Sequence, residues 1–97
     1  MNLPERDGDG YLLSMADWSE EVMHEMAKVD GYELTEHKIY HIKLAREYYE
    51  TNGSVPAIRI FAKFIDEDKK DLFKLWMTGP MKPITKYGGL PKPTGCV

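Results

Sequence analysis

The sequence predicts a mainly α fold: a compact orthogonal helical bundle with a small N-terminal β element and a flexible C-terminal arm. Three observations carry the prediction. Apolar residues recur at helical spacing along most of the chain from Trp18 to Trp76. The periodic segments are joined by short breaks near residues 51–54 and 65–67, which fold helices back on one another. The last ten residues, GGLPKPTGCV, are too rich in glycine and proline to favour helix or strand.

Each element follows in order. Asp7-Gly8-Asp9-Gly10 has turn chemistry, and Tyr11-Leu12-Leu13 after it reads as a short strand. The turn lacks the further ligands and closing Glu of a calcium loop. A first helix is expected to start between Ser14 and Asp17 and to stop at Gly31, with Trp18, Val22 and Met26 as its apolar stripe. Thr35 caps a second helix, Leu34 and Ile39 forming a hydrophobic staple around the cap. Ile39, Ile42, Ala45, Arg46 and Tyr49 trace its inner face, and Asn52-Gly53 ends it. Ser54 is expected to cap a third helix with Pro56 in its first turn, burying Ile58, Phe61, Ala62 and Ile65. Asp66 is expected to open a fourth, with Leu72, Leu75 and Trp76 inward and Gly79-Pro80 as its stop. A last helical turn runs from Lys82 or Pro83 to Tyr87. The organisation expected is a helical domain over 1–87 and an arm over 88–97.

Length and composition narrow the function. The chain has 97 residues, 42% hydrophobic and 30% charged, which suits one globular domain with a modest core. No apolar run reaches the roughly 20 residues a membrane helix needs. The acidic, glycine-bearing start is unlike a signal peptide, so a cytoplasmic location and no membrane partner are expected. A single cysteine excludes an internal disulfide and a multi-thiolate metal site. Residues 1–53 carry 5 Lys/Arg against 12 Asp/Glu, whereas residues 54–97 carry 8 against 4. From Met77 onward the only charged side chains are Lys82, Lys86 and Lys92. Such a basic C-terminal face suits an anionic partner.

Two familiar patterns carry little. His37 and His41 share a helix face at metal-pair spacing, but HKIYH lacks the Glu of the HExxH arrangement, and His24 stands apart. Neither a metal nor any other cofactor is expected. The third and fourth helices resemble a helix-turn-helix with Arg59, Lys63, Lys69, Lys70 and Lys74 available for phosphates. Asp66, Glu67, Asp68 and Asp71 would face those phosphates, so direct nucleic-acid binding is not expected. A nucleic-acid-binding regulator stands as the alternative from another class.

The arm is the informative segment. Gly88-Gly89 reads as a hinge, and Pro91 and Pro93 favour an extended chain. At its tip lies Cys96, the only sulfur nucleophile. A thiolate there attacks a sulfur donor to become a persulfide, or exchanges with a disulfide. Lys92 favours the thiolate and the terminal carboxylate opposes it. With no second cysteine, a relay between partners fits better than a dithiol switch. A frayed terminus with an incidental cysteine is the plainer reading, but free cysteines are usually buried.

The tail, with DGDGYL at 7–12, DWSEEV at 17–22, LTEH at 34–37, AREYYETNG at 45–53, VPAIRIFAK at 55–63, GP at 79–80 and LPKP at 90–93, resembles the DsrC/TusE family of sulfur carriers. The resemblance spans nearly the whole chain. It implies that Cys96 is the family's essential penultimate cysteine. Two-cysteine members hold a second cysteine eleven residues earlier, where this chain has Thr85, so their intramolecular disulfide and trisulfide chemistry is not expected. The single-cysteine pattern is similar to TusE, which relays persulfide sulfur toward 2-thiouridine in tRNA. A TusBCD-like donor complex and a tRNA thiouridylase are the partners this implies. The alternative is a DsrC-like partner of dissimilatory sulfite reductase or of a sulfur-oxidation pathway. Arg59, Lys63 and Lys92 are expected to help dock the arm or a partner. The family opens with a β-hairpin. Only about ten residues precede Tyr11 here, so the first strand is expected to be shortened or lost.

Overall fold

Local capping decides most of the helix boundaries. In this computed structural model, which describes residues 2–94, five helices surround one core: α1 (Glu20–Asp30), α2 (Glu36–Asn52), α3 (Ile58–Ile65), α4 (Lys69–Trp76) and α5 (Met81–Tyr87). Ser19 opens α1 by accepting from the Val22 N–H at 3.1 Å, and Gly31 closes it. Thr35 opens α2 by accepting from the Lys38 N–H at 3.3 Å, and Gly53 closes it, as the sequence predicts.

Four expectations are corrected. Ser14 and Met15–Asp17 form only a 3₁₀ turn, and Trp18 is extended, so α1 begins at Glu20. Ser54 does not cap α3: the helix starts after Ala57, with no side-chain cap. Asp66 ends α3 instead of opening α4. It takes φ 56°, and the Glu67 N–H returns to the Ala62 carbonyl at 3.0 Å in a Schellman-type closure. Asp68 then caps α4, accepting from the Lys70 N–H at 2.8 Å. At the other end of α4 the helix stops at Trp76, with Met77 at φ 59°, before Gly79-Pro80 is reached.

The N-terminal β element reduces to one antiparallel bridge between Arg6 and Leu12. The Asp7 carboxylate organises the turn between them, accepting from the N–H groups of Asp9 at 2.9 Å and Tyr11 at 3.0 Å. Arg6 grips Asp30 with two hydrogen bonds of 3.0 Å, and the Tyr87 hydroxyl donates to the same carboxylate at 2.8 Å. This ties the turn to the ends of α1 and α5. The Arg6 guanidinium holds the Asp30 carboxyl below the usual carboxylate range.

The core is the meeting of α2 and α5. Ile42 and Ala45 of α2 and Met81 and Ile84 of α5 are buried in one cluster, with Met23 and Met26 of α1, Phe61 of α3, and Leu72 and Trp76 of α4 completing it. Burial of these apolar side chains is the main stabilising term, at about 1.5–3 kcal/mol for each large one. Among the described residues, no helix is long and apolar enough to cross a membrane.

Candidate functional site

The arm leaves the core through a clamp, not a hinge. α5 ends in a Schellman-type 6→1 closure: after the last helical bond, from the Gly88 N–H to the Ile84 carbonyl at 2.9 Å, the Leu90 N–H returns to the Thr85 carbonyl at 3.0 Å. Gly89 sits between them at φ +64°. Leu90, the hydrophobic residue of the motif, is 4% exposed and part of the core. Two side chains grip the exit from outside. Trp18 donates its indole N–H to the Tyr87 carbonyl at 2.7 Å, and Arg46 donates to the next carbonyl, that of Gly88. The Arg46 guanidinium lies 3.8 Å from the centre of the Trp18 ring, a stack worth about 0.5–2 kcal/mol. A Cβ on Gly89 would come 2.6 Å from the Trp18 Cβ, and one on Gly88 would come 2.6 Å from the Ile84 carbonyl oxygen. Both glycines are set by close approach. Gly88, Gly89 and Leu90 are buried, so the projecting segment starts at Pro91 and not at residue 88.

Beyond the clamp, Pro91, Lys92 and Thr94 are exposed. Lys92 bends back to the N-terminal turn, 2.7 Å from Asp9 and 3.2 Å from Asp7. Hydrogen bonds to those carboxylates raise the Lys92 pKa. Asp7 is held below the usual range, first by the Tyr11 N–H and then by Lys92. Cys96 lies outside the described residues.

Thr85 is fully buried. Its hydroxyl donates to the Met81 carbonyl at 2.7 Å and lies 3.0 Å from the Tyr11 hydroxyl, which reaches the Lys82 carbonyl at 3.1 Å. Here the position is a polar knot under Tyr11. Arg59 and Lys63 are exposed on α3 and line a mixed-charge pocket with Asp66, Glu67, Asp68 and Lys69. Among the described residues, none of the arm lines that pocket. The structure therefore separates Arg59 and Lys63 from Lys92.

His37, His41 and Glu67 gather tightly, with one ligand atom of each within 4.8 Å of the others. The hydrogen bonds explain the group. Trp76 donates to His41 Nδ1 at 3.0 Å, so neutral His41 carries its proton on Nε2 and donates it to Glu67, also at 3.0 Å. A metal ligand uses one imidazole nitrogen and donates from the other. With Nδ1 already accepting, His41 fits a structural tie and not a ligand. Burial lowers the His41 pKa against the opposing pull of Glu67. Burial likewise opposes ionisation of Glu67, yet hydrogen bonds from His37 and His41 hold its carboxyl below the usual range.

Residues 2–97 match the family described as DsrC like protein. The chain belongs to the DsrC-like family. It is 36% identical to the sulfurtransferase TusE of Photorhabdus laumondii, covering 96% of this chain and 90% of that one. It is also 36% identical, with the same coverage, to the dissimilatory-type sulfite reductase subunit gamma of Nitratidesulfovibrio vulgaris. Among solved structures, Allochromatium vinosum DsrC matches with a TM-score of 0.80 at 41% identity, over 94% of this chain and 88% of that one. The oxidized DsrC of Archaeoglobus fulgidus matches with a TM-score of 0.79 at 33% identity, over 97% and 92%.

The mainly helical fold expected of a DsrC-like protein is the fold observed. What the sequence did not show is how this DsrC-like chain holds its arm. Trp18 and Arg46 read as members of helical apolar stripes. The one signal was an arginine on the inner face of α2, where a charge needs a partner.

Proposed function

We propose that this protein is a sulfur carrier whose reactive group is Cys96. The Cys96 thiolate attacks the terminal sulfur of a donor persulfide, forming Cys96–S–SH and releasing the donor thiolate. An acceptor nucleophile then takes the outer sulfur and returns the Cys96 thiolate. Each step exchanges one bond to sulfur for another, with no net oxidant. The observation that carries the reading is the clamped exit of the arm. A rigid core ends at Leu90, and seven residues lie beyond it, the sixth being the only cysteine. A segment of that length spans about 20 Å when extended, enough to enter a partner's cleft.

Thr85 supports the single-cysteine relay. A buried hydroxyl cannot form a disulfide with Cys96, so this chain has no intramolecular resolving step. Among family activities this favours TusE-like transfer toward tRNA 2-thiouridine, with a TusBCD-like donor complex and a thiouridylase as partners in the cytoplasm. The equal identity to a sulfite reductase gamma subunit supports a second acceptor, a dissimilatory sulfite reductase. The domain division that fits is a packed unit through Leu90 followed by the arm.

The test is intact-protein mass measurement after incubation with a cysteine desulfurase, cysteine and a relay donor. The expected result is a gain of one sulfur atom, reversed by reductant and absent in Cys96→Ser. A wild-type protein that takes up no sulfur while the donor is loaded refutes the proposal.

A further inference from the structure

A pocket of about 480 Å³ opens beside the base of the arm. Lys82, Lys86 and Lys92 all line it, against the single carboxylate of Asp9. These are the only charged side chains from Met77 to Val97, and the fold brings them to one place. Tyr11, Tyr87 and Pro83 add apolar surface to its walls. Tyr32 also lines it, and its hydroxyl is buried without a hydrogen-bond partner among the described residues. The N-terminal turn is fitted to this arrangement: a Cβ on Gly10 would come 2.7 Å from Lys86 Cε.

We infer that this pocket is a docking site for an acidic segment of a partner protein, and that docking releases the arm. The chemistry is already rehearsed within the chain. Lys92 is occupied by Asp7 and Asp9, carboxylates on a turn outside the arm. Asp9 and Lys92 are exposed, at 71% and 49%, and Asp7 is partly so, at 30%, so the pairing is weak and exchangeable. A partner's carboxylates entering between Lys82 and Lys86 compete with Asp7 and Asp9 for Lys92. The winning arrangement frees Pro91 onward from the N-terminal turn. A protein segment fits better than a nucleic acid. The strongly acidic residues 1–53 include Asp9 in the pocket and Asp7 beside it on Lys92, and a long phosphate backbone would run against them. A short acidic peptide meets the three lysines and tyrosine walls alone. The inference rests on the carrier reading only for its purpose, since it makes release of the sulfur-bearing arm depend on the partner.

The experiment titrates the full ¹⁵N-labelled chain with an acetylated, amidated hexaglutamate peptide. Hexalysine, inorganic phosphate and a single-stranded RNA oligonucleotide serve as controls. Amide shifts are expected at Lys82, Lys86 and Lys92, with faster motion of residues 91–94 on binding. Lys82→Gln with Lys86→Gln is expected to weaken binding roughly tenfold or more, with an otherwise unchanged spectrum. Binding should also weaken as salt rises. Absence of shifts, shifts confined to the Arg59–Lys69 face, unchanged arm motion, or preference for the RNA each overturns the inference. Persulfide loading of Cys96 by a small-molecule donor, read by mass on the same samples, reports the carrier reading separately. Loading without peptide binding refutes the docking site alone, and binding without loading refutes the carrier alone.

Discussion

The two halves of the C-terminal segment are held by different physics. Gly88 to Leu90 are gripped by backbone hydrogen bonds, a buried leucine and the Trp18–Arg46 stack. Two residues later, Lys92 is held by an exposed ion pair to Asp7 and Asp9. The first set is anchored on the buried Leu90, with Trp18 and Arg46 half-buried over it, and its contacts support one another, so it resists local opening. The second is screened by salt and competes with water. In the carrier proposed above, this contrast would serve the presentation of Cys96. The exit direction is fixed by the core, while the contact of Lys92 beyond it is exchangeable.

The largest effect that can break this comparison is at Gly89. An alanine there takes a left-handed φ of +64° and drives its Cβ to 2.6 Å from Trp18. The conformational cost is about 1–2 kcal/mol, and overpacking adds about 1–3 kcal/mol. Gly89→Ala is therefore expected to destabilise the protein by about 2–5 kcal/mol in chemical unfolding, and to shift Trp18 fluorescence toward that of an exposed indole. A variant as stable as wild type shows that the clamp does not grip. Leaving the residue free to swing would then restore Gly88-Gly89 as the hinge the sequence suggests.

That suggestion shows where sequence reading stops. Thr35, Gly53 and the inner face of α2 were legible because a cap and a helical stripe are written within a few residues of one another. Cys96 stood out through its position alone. The clamp was hidden because it joins Trp18 to Tyr87 and Arg46 to Gly88, pairs 69 and 42 residues apart. A Gly-Gly pair reads as freedom until the ring that packs on it is known. Ser54 and Asp66 misled for the opposite reason. Each is a good local cap, but α3 is placed by burial of Ile58, Phe61 and Ile65, and its end closes on Ala62 and Lys63 carbonyls. The His37–His41 spacing shows a shared helix face but not the partners, Trp76 and Glu67, that occupy the two nitrogens of His41.

Acid sharpens the comparison at an intermediate scale. His41 has a lowered pKa in the folded chain, with burial as the main cause. As pH falls through about 6.5, the ordinary histidine value, the unfolded chain takes up a proton that the folded chain resists. Stability is full above that pH and falls below it, until the folded His41 also protonates. Glu67, also lowered, adds loss in the same direction at lower pH, beginning near the ordinary carboxylate range. The Asp7 carboxyl at the arm is likewise lowered, so its pairing with Lys92 persists below the usual carboxylate range. The core is thus expected to weaken before the latch responds. Unfolding midpoints from pH 7.5 to 5.5 should fall in wild type and fall less in His41→Gln, while arm amide shifts stay constant over that range. Equal slopes in the two proteins refute the assignment to His41.

The smallest effect on stability tests the latch itself. Asp9→Asn removes the carboxylate 2.7 Å from Lys92 and leaves Asp7 at 3.2 Å. Asp9 accepts no backbone hydrogen bond in the turn, whereas Asp7 accepts two, from Asp9 and Tyr11. The substitution therefore spares the turn and weakens only the arm contact. Unfolding is expected to match wild type within error, because the pair is exposed and screened. Relaxation of the Lys92 and Thr94 amides is expected to shift toward faster motion, and added salt should produce the same change in wild type. Salt that leaves wild-type arm motion unchanged would mean that Lys92 is positioned by the prolines on either side of it and not by charge. A loss of stability in Asp9→Asn would extend the packed unit past Leu90, and the contrast between a gripped exit and an exchangeable outer arm would fall.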